Sequence, residues 1–420
     1  MHRRVALLSA VALALAGALA PVGTANAGAA GGPDFRRPAG WTATDSWRER
    51  RTVSQYWSTN RMLAAQPLNA PAPRRNQWRG PSRGNPWSTQ GTRAAGSRGS
   101  SWYERGNQGT GNQGTGNRGT GGQGTGGQGT GGQGTGGQGT GGQGTGGQGT
   151  GGQGTGGQGT GGQGTGGQGT GGQGNGNQGN GNGNQQRTAV NNSPGLRWTD
   201  GGAVVRTTGR VFFTTADGRN SSCSGSAVTS ANESVVITAG HCVKLNGAAH
   251  RNWVFVPAFD NGRRPFGTWV GTRMFTTPQW NAREDINFDV AAVVVAPLDG
   301  RTLTDVVGGQ GVAFNQARQQ QMFSFGYPAA EPFDGSRLIY CSGRAFNDTV
   351  MTQDQGLRCN MTGGSSGGPW FQSFDAATGL GSLNSVNSFT YNFAPGFMFG
   401  PFFGDEAMAV YRAAQNADAV

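Results

Sequence analysis

The stretch "CNMTGGSSGGPW", Cys359–Trp370, sets two serines between two pairs of glycines. A chain concentrates glycine in this way where backbone turns tightly or something approaches it closely. Around it, from about Thr188, short apolar, β-branched and aromatic runs alternate with turn residues. They include "RVFFTT" (210–215), "SVVITAG" (234–240), "WVFVPAF" (253–259), "FDVAAVVVA" (288–296), "MFSFGYP" (322–328) and "SVNSFTYNF" (385–393). Strands at this spacing, with no helical pattern between them, predict an all-β sandwich or barrel. Only "GDEAMAVYRAAQNA" (404–417) reads as a helix, with Asp405 as its cap. A region of about 230 residues can bury a substantial core.

Three segments of this region carry polar groups in suggestive surroundings. His241 follows the apolar run "VVITAG", Asp289 heads the apolar run "VAAVVVA", and Ser366 lies in the glycine-framed turn. A serine hydroxyl is a weak nucleophile at neutral pH and needs a base to take its proton. Histidine suits that task, because its pKa lies near the working pH. The imidazole must hold one tautomer and tolerate becoming positive, which a buried carboxylate on its other nitrogen provides. The oxyanion of a tetrahedral intermediate then needs donors, and glycines let backbone N–H groups point at it.

"TAGHC", "FDVAAV" and "GSSGGP" resemble the three catalytic blocks of trypsin-like (chymotrypsin-fold) serine peptidases, in that family's His, Asp, Ser order. The resemblance spans roughly residues 209–391 and implies two six-stranded antiparallel β-barrels, here followed by the C-terminal helix. By position it implies His241 as general base, Asp289 as its orienting partner and Ser366 as nucleophile. The N–H groups of Gly364 and Ser366 would form the oxyanion hole. It also implies a Cys223–Cys242 bridge beside the histidine and a Cys341–Cys359 bridge in the second barrel. Neither a metal nor an organic cofactor is implied, and no Cys-x-x-Cys pair suggests zinc.

Rival assignments follow from the same residues. Asp285 competes with Asp289, although only Asp289 directly precedes the apolar run. His250, in the polar loop "NGAAHRN", reads as an exposed side chain. In animal trypsins an aspartate precedes the nucleophile and pairs with the new N-terminus; here Ser365 stands there, so activity is expected not to depend on that ion pair. The position six before the nucleophile is Asn360, which gives no support to Arg/Lys specificity, and no histidine after His250 supports a glutamyl preference. Asn360, Met361, Asn387 and Ser388 are expected to line the substrate pocket and to favour a medium-sized polar or apolar side chain.

The rest of the chain has a different character. Residues 1–27 read as a secretory signal peptide: His2-Arg3-Arg4, an apolar run from Val5 to Ala20, and Ala25-Asn26-Ala27 as the cleavage site. Residues 28–105 are rich in Arg and Trp, with 13 basic against four acidic side chains. There "TDSWRERRTVSQYWSTNRMLAAQP" predicts a helix capped by Asp45 and ended by Pro67, with the remainder disordered. "YWSTNRMLAAQPL" (56–68) resembles a motif in pro-segments of secreted bacterial peptidases, which makes 28–105 a candidate pro-region. Residues 106–187 repeat GGQGT, with nothing apolar larger than a threonine methyl, and predict a disordered tether. A self-associating Gln-rich segment is the alternative for this tract.

The formal net charge is +12, yet residues 188–420 carry 16 basic and 17 acidic side chains. A folded nucleic-acid reader would carry its charge on the globular module, so that partner is excluded. The basic N-terminal region is left as a candidate contact for acidic cell-wall polymers. No stable membrane span is expected once the signal is removed. The resulting expectation is an exported serine endopeptidase acting on peptides or proteins. Its rivals are a cell-surface binding or structural protein on a peptidase scaffold, and an esterase on the same triad.

Overall fold

The computed structural model describes residues 37–73, 80–94 and 192–420. The expected signal peptide and the GGQGT tract lie outside the described residues. In the first half of the β-region, Thr208–Thr214, Asn220–Val228, Val235–Thr238, Ala291–Val295, Trp269–Thr276 and Arg251–Pro257 pair antiparallel in that order, and the last returns to the first. Six strands thereby close a barrel, which leaves no unpaired edge. Thr208–Thr214 is buried along its whole length, because its outward face is covered as well as its inward one.

In the second half, Gly311–Phe314, Leu380–Val386, Pro369–Asp375, Gln321–Gly326, Ile339–Arg344 and Ser193–Arg197 are hydrogen-bonded in that order. The first of these pairings is parallel. Phe346–Asn347, Gln355–Arg358 and Phe397–Gly400 form a smaller antiparallel sheet beside them. Cys223–Cys242 and Cys341–Cys359 are both bridged. The second bridge packs with Met361, Trp370 and Met398 in its own apolar cluster.

The C-terminal helix runs over Asp405–Gln415 and buries Ala407, Val410, Tyr411 and Ala414, which share one face. Asp405 is its first residue and not its cap. Gly404 holds the cap position without a side-chain bond, and Asp405 Oδ1 instead accepts from Asn315 Nδ2 at 2.8 Å.

The N-terminal region differs from its sequence reading. Two helices replace the expected one, Trp47–Tyr56 and Thr59–Ala64, capped by Ser46 and Ser58 and not by Asp45. They break at Trp57 because its indole leaves the helix for the core. The ring is 1% exposed, lies 5.5 Å from Phe212 and donates from Nε1 to Asn252 O at 2.6 Å. Nor is the remainder of the described segment without structure. Ala39–Thr42 extends the first sheet on Trp269–Thr276. Trp87–Ser88 pairs with Gly311–Phe314, and Trp87 stacks on Phe314 at 5.9 Å. Trp57 and Trp87, from a segment that reads as rich in Arg and Trp, are thus consumed in packing against strands far away in sequence.

Candidate active site

His241 lies in the short 3-10 turn Gly240–Cys242, three residues past the strand Val235–Thr238. Asp289 caps the turn Ile286–Phe288, just before the strand Ala291–Val295. These two strands are antiparallel neighbours, with Thr238 opposite Ala291. Chain leaving one strand and chain entering the other therefore meet at the same end of the sheet. His241 Nδ1 donates to Asp289 Oδ2 at 2.7 Å, and the His241 N–H donates to Oδ1 at 2.8 Å. The paired bonds fix the imidazole tautomer with Nε2 as acceptor. Both side chains are fully buried.

Ser388 adds a contact that sequence reasoning missed: its Oγ donates to Asp289 Oδ2 at 2.5 Å. It is the third donor on that carboxylate, after the His241 ring and the His241 N–H. Asp285 has another task. It caps the turn that presents Asp289, accepts from Asn287 and pairs with Arg283 at 3.1 Å.

Ser366 sits in the turn between Gly363 and Gly368. Gly364 and Gly367 take φ of +93° and +78°, a region that side chains disfavour. A Cβ at Gly367 would stand 2.1 Å from Thr238 Oγ1, so this turn nests directly against the strand that carries His241. Ser224 pins the nest: its N–H donates to Ser366 O at 2.7 Å, and its Oγ donates to Gly364 O at 2.9 Å. The N–H groups of Gly364 and Ser366 make no hydrogen bond to another described residue. Ser365, 1% exposed, donates from Oγ to Thr362 O at 2.7 Å. The turn is therefore held by neutral hydrogen bonds at the position where animal trypsins use an ion pair.

The Ser366 Oγ–H donates to the carbonyl of Leu68 at 3.3 Å. His241 Nε2 is buried and has no hydrogen-bond partner among the described residues. No hydrogen bond joins Ser366 to His241, and the serine hydroxyl is spent on Leu68 instead.

The residues expected to line a pocket divide. Asn360 is exposed, with its Oδ1 against Gly195. Met361 is 2% exposed within the apolar cluster of the second bridge. Asn387 is instead a structural bracket. Its Oδ1 accepts from Ser324 Oγ and Trp370 Nε1, both at 2.7 Å, while its Nδ2 donates to Phe325 O and Ser365 O at 3.0 and 3.1 Å. Its backbone N–H and C=O are bonded to Gly368 and Gly367. No polar group of Asn387 is left for a ligand. Ser388 is likewise committed, through its hydroxyl to Asp289 and through its N–H to Phe399 O.

His250, expected to be exposed, is buried against the turn that carries His241. It stacks on Phe213 with centroids 4.3 Å apart, and Nε2 donates to His241 O at 3.0 Å. Burial pulls its pKa down to about 4, the bond to the His241 carbonyl opposing the shift, so it is neutral near pH 7. Asp354, also fully buried, is pushed well above the carboxylate range by burial and then by nearby Asp289 and Asp348. The sulfurs near His241 belong to the Cys223–Cys242 bridge and offer no thiolate to a metal.

A family model described as a trypsin-like peptidase domain matches residues 223–380, which contain all three residues of the constellation. Among solved structures, the protease Anisep from Arthrobacter nicotinovorans is 44% identical, the match covering 51% of this chain and 98% of that one, with a TM-score of 0.49. The thermostable serine protease AL20 from an extremophilic microorganism is 43% identical over 51% of this chain and 100% of its own, with a TM-score of 0.48. An extracellular metalloprotease of Bacillus subtilis is 30% identical over 82 residues, 19% of this chain and only a quarter of that protein's length.

Proposed function

The chain belongs to the trypsin-like serine peptidases, and from that premise we propose that it is a secreted endopeptidase working through His241, Asp289 and Ser366. Ser366 Oγ attacks the scissile carbonyl while His241 Nε2 takes its proton, and the oxyanion settles on the N–H groups of Gly364 and Ser366. Asp289 holds the imidazole and stabilises the imidazolium, with Ser388 holding Asp289 in turn. The imidazolium returns its proton to the departing amine, and water later discharges the acyl-enzyme by the same route. The observation that carries this reading is the doubly hydrogen-bonded, fully buried His241–Asp289 pair against a glycine turn whose amides are directed to no other described group.

Export accords with the sequence reading of residues 1–27 and with two bridged cysteine pairs, which persist in oxidising compartments. Among the described residues no helix is long and apolar enough to cross a membrane. Asn360, where an acidic residue would favour Arg/Lys, supports a preference for a medium-sized polar or apolar side chain. Incubation with a proteome-derived peptide mixture, read by mass spectrometry, tests the proposal. New termini with a common side chain before the cut, absent with Ser366→Ala, are expected. An unchanged peptide pattern from a folded, unblocked chain rejects it, and a dominant Arg/Lys signal rejects the pocket reading.

A further inference from the structure

One stretch of the N-terminal segment does more than pack. Gln66–Pro67 pairs with Ser221–Ser222 in parallel register, and the Leu68 N–H donates to Ser222 O at 3.1 Å. The chain then crosses the nucleophile, where Leu68 O receives the Ser366 hydroxyl. Asn69 and Pro67 lie over Gly363: a Cβ there would stand 2.2 Å from Asn69 Oδ1 and 3.3 Å from Pro67 Cβ. Ala70 continues onto the apolar cluster of Trp280, Phe389 and Tyr391. Residues 66–70 thus cover the nucleophile, the oxyanion turn and the wall beyond them in one continuous path.

We propose that this segment is a built-in inhibitor that occupies the substrate cleft without being a substrate; the inference rests on the catalytic reading of Ser366 and His241. Attack requires the serine oxygen to face the carbonyl carbon while the carbonyl oxygen points to the turn amides. Here the hydroxyl hydrogen meets the carbonyl oxygen instead, and the amides of Gly364 and Ser366 do not bind it. With the hydroxyl donated to Leu68, His241 Nε2 has no partner among the described residues. The base cannot take a proton that is engaged elsewhere, so the peptide bond after Leu68 survives beside its own nucleophile.

The segment is held from a distance. Trp57 and Met62 are buried at 1% and 0% exposure, and the Tyr56 hydroxyl donates to Asn220 Oδ1 at 2.9 Å. Arg264 reaches the Trp57 carbonyl at 3.1 Å. These anchors bind the segment to Phe212, Asn220, Asn252 and Arg264 and position the short crossing at residues 66–70. Being part of the same chain, the segment acts at a high effective concentration until it is cut or displaced.

The test uses the full chain and the rate at which a fluorophosphonate probe modifies Ser366. Trp57→Ala with Met62→Ala removes the two buried anchors and is expected to raise that rate, and peptide hydrolysis with it, at least tenfold over the unmodified chain. A synthetic peptide of residues 56–73 added to this variant is expected to slow it again. Pro67→Gly with Leu68→Gly, which leaves the anchors intact, is expected to accelerate labelling in the same direction and serves if the first variant fails to fold. Intact mass should show no cut between Leu68 and Asn69 in the unmodified chain. Equal, rapid labelling of the unmodified chain and the variants overturns the inhibitor while leaving the catalytic reading in place. Rapid cleavage after Leu68 overturns its non-productive binding. No labelling of folded variants removes the catalytic reading and the inference with it.

Discussion

Thr238 lies directly opposite Ala291 across two antiparallel strands, and that single register brings His241 and Asp289 together. The pair is made from chain ends of the barrel and not from a flexible loop, so its geometry is inherited from strand pairing. A slip of one residue would turn every side chain of one strand to the other face. Replacing Asp289 by Asn keeps the shape but offers the imidazole a donor where it needs an acceptor. The expected result is a fall in kcat of about 10⁴-fold with little change in KM, as the same exchange gives in triads of this kind. Steady-state kinetics on a chain freed of its N-terminal block checks this.

Asn387 brackets the Ser366 turn through four side-chain hydrogen bonds. Asn387→Ala strands the Trp370 indole and the Ser324 hydroxyl in the core. We expect a loss of about 3 kcal/mol, at about 1 kcal/mol for each bond removed with some relaxation. The fall in activity should exceed what unfolding explains, because Ser365 O is one of the anchors lost. Denaturant titration alongside the specific activity of the folded fraction separates the two effects.

Gly367 adopts φ of +78° within contact of Thr238. Gly367→Ala suffers both the backbone strain and a collision with the strand carrying His241, and should cost about 3 kcal/mol or more. Far-ultraviolet melting curves would register it, while a Gly218→Ala control, with nothing near its Cβ, should show only the smaller cost of the dihedral.

His250 gives the fold a pH dependence. It is neutral when buried, with its pKa lowered from an ordinary 6.5 to about 4, while in the unfolded chain it charges below about 6.5. The unfolded state therefore binds more protons in that window, and stability falls as pH drops from about 6.5 towards 4. His241 and Asp217 are the ionisable groups that act on it, the first lowering its pKa and the second raising it. The full effect is at most about 3 kcal/mol. His250→Gln should flatten the stability profile between those pH values; an unchanged slope would place the acid sensitivity elsewhere.

Much of this site was legible in the sequence because its chemistry is locally dense. "TAGHC" and "GSSGGP" pack residue type, glycine and neighbour into five or six positions, and the apolar runs beside His241 and Asp289 announce the two strands that pair. What was not legible depends on contacts across long separations. His250 looks solvent-exposed among Asn, Gly, Ala and Arg, yet Phe213 and the His241 carbonyl enclose it. Asn387 gives no local sign that Ser324, Phe325, Ser365 and Trp370 converge on it. Trp57 reads as part of a helix, and both Trp57 and Leu68 as part of a pro-segment-like motif, but nothing near them in sequence says that they dock on Phe212 and Ser366.

The measurement closest to the central claim is the site of fluorophosphonate attachment, mapped by tandem mass spectrometry on the Trp57→Ala/Met62→Ala chain. One adduct on Ser366, lost when His241 is replaced by Ala, is the predicted result. An adduct on Ser365, or one on Ser366 that forms equally fast without His241, would contradict it.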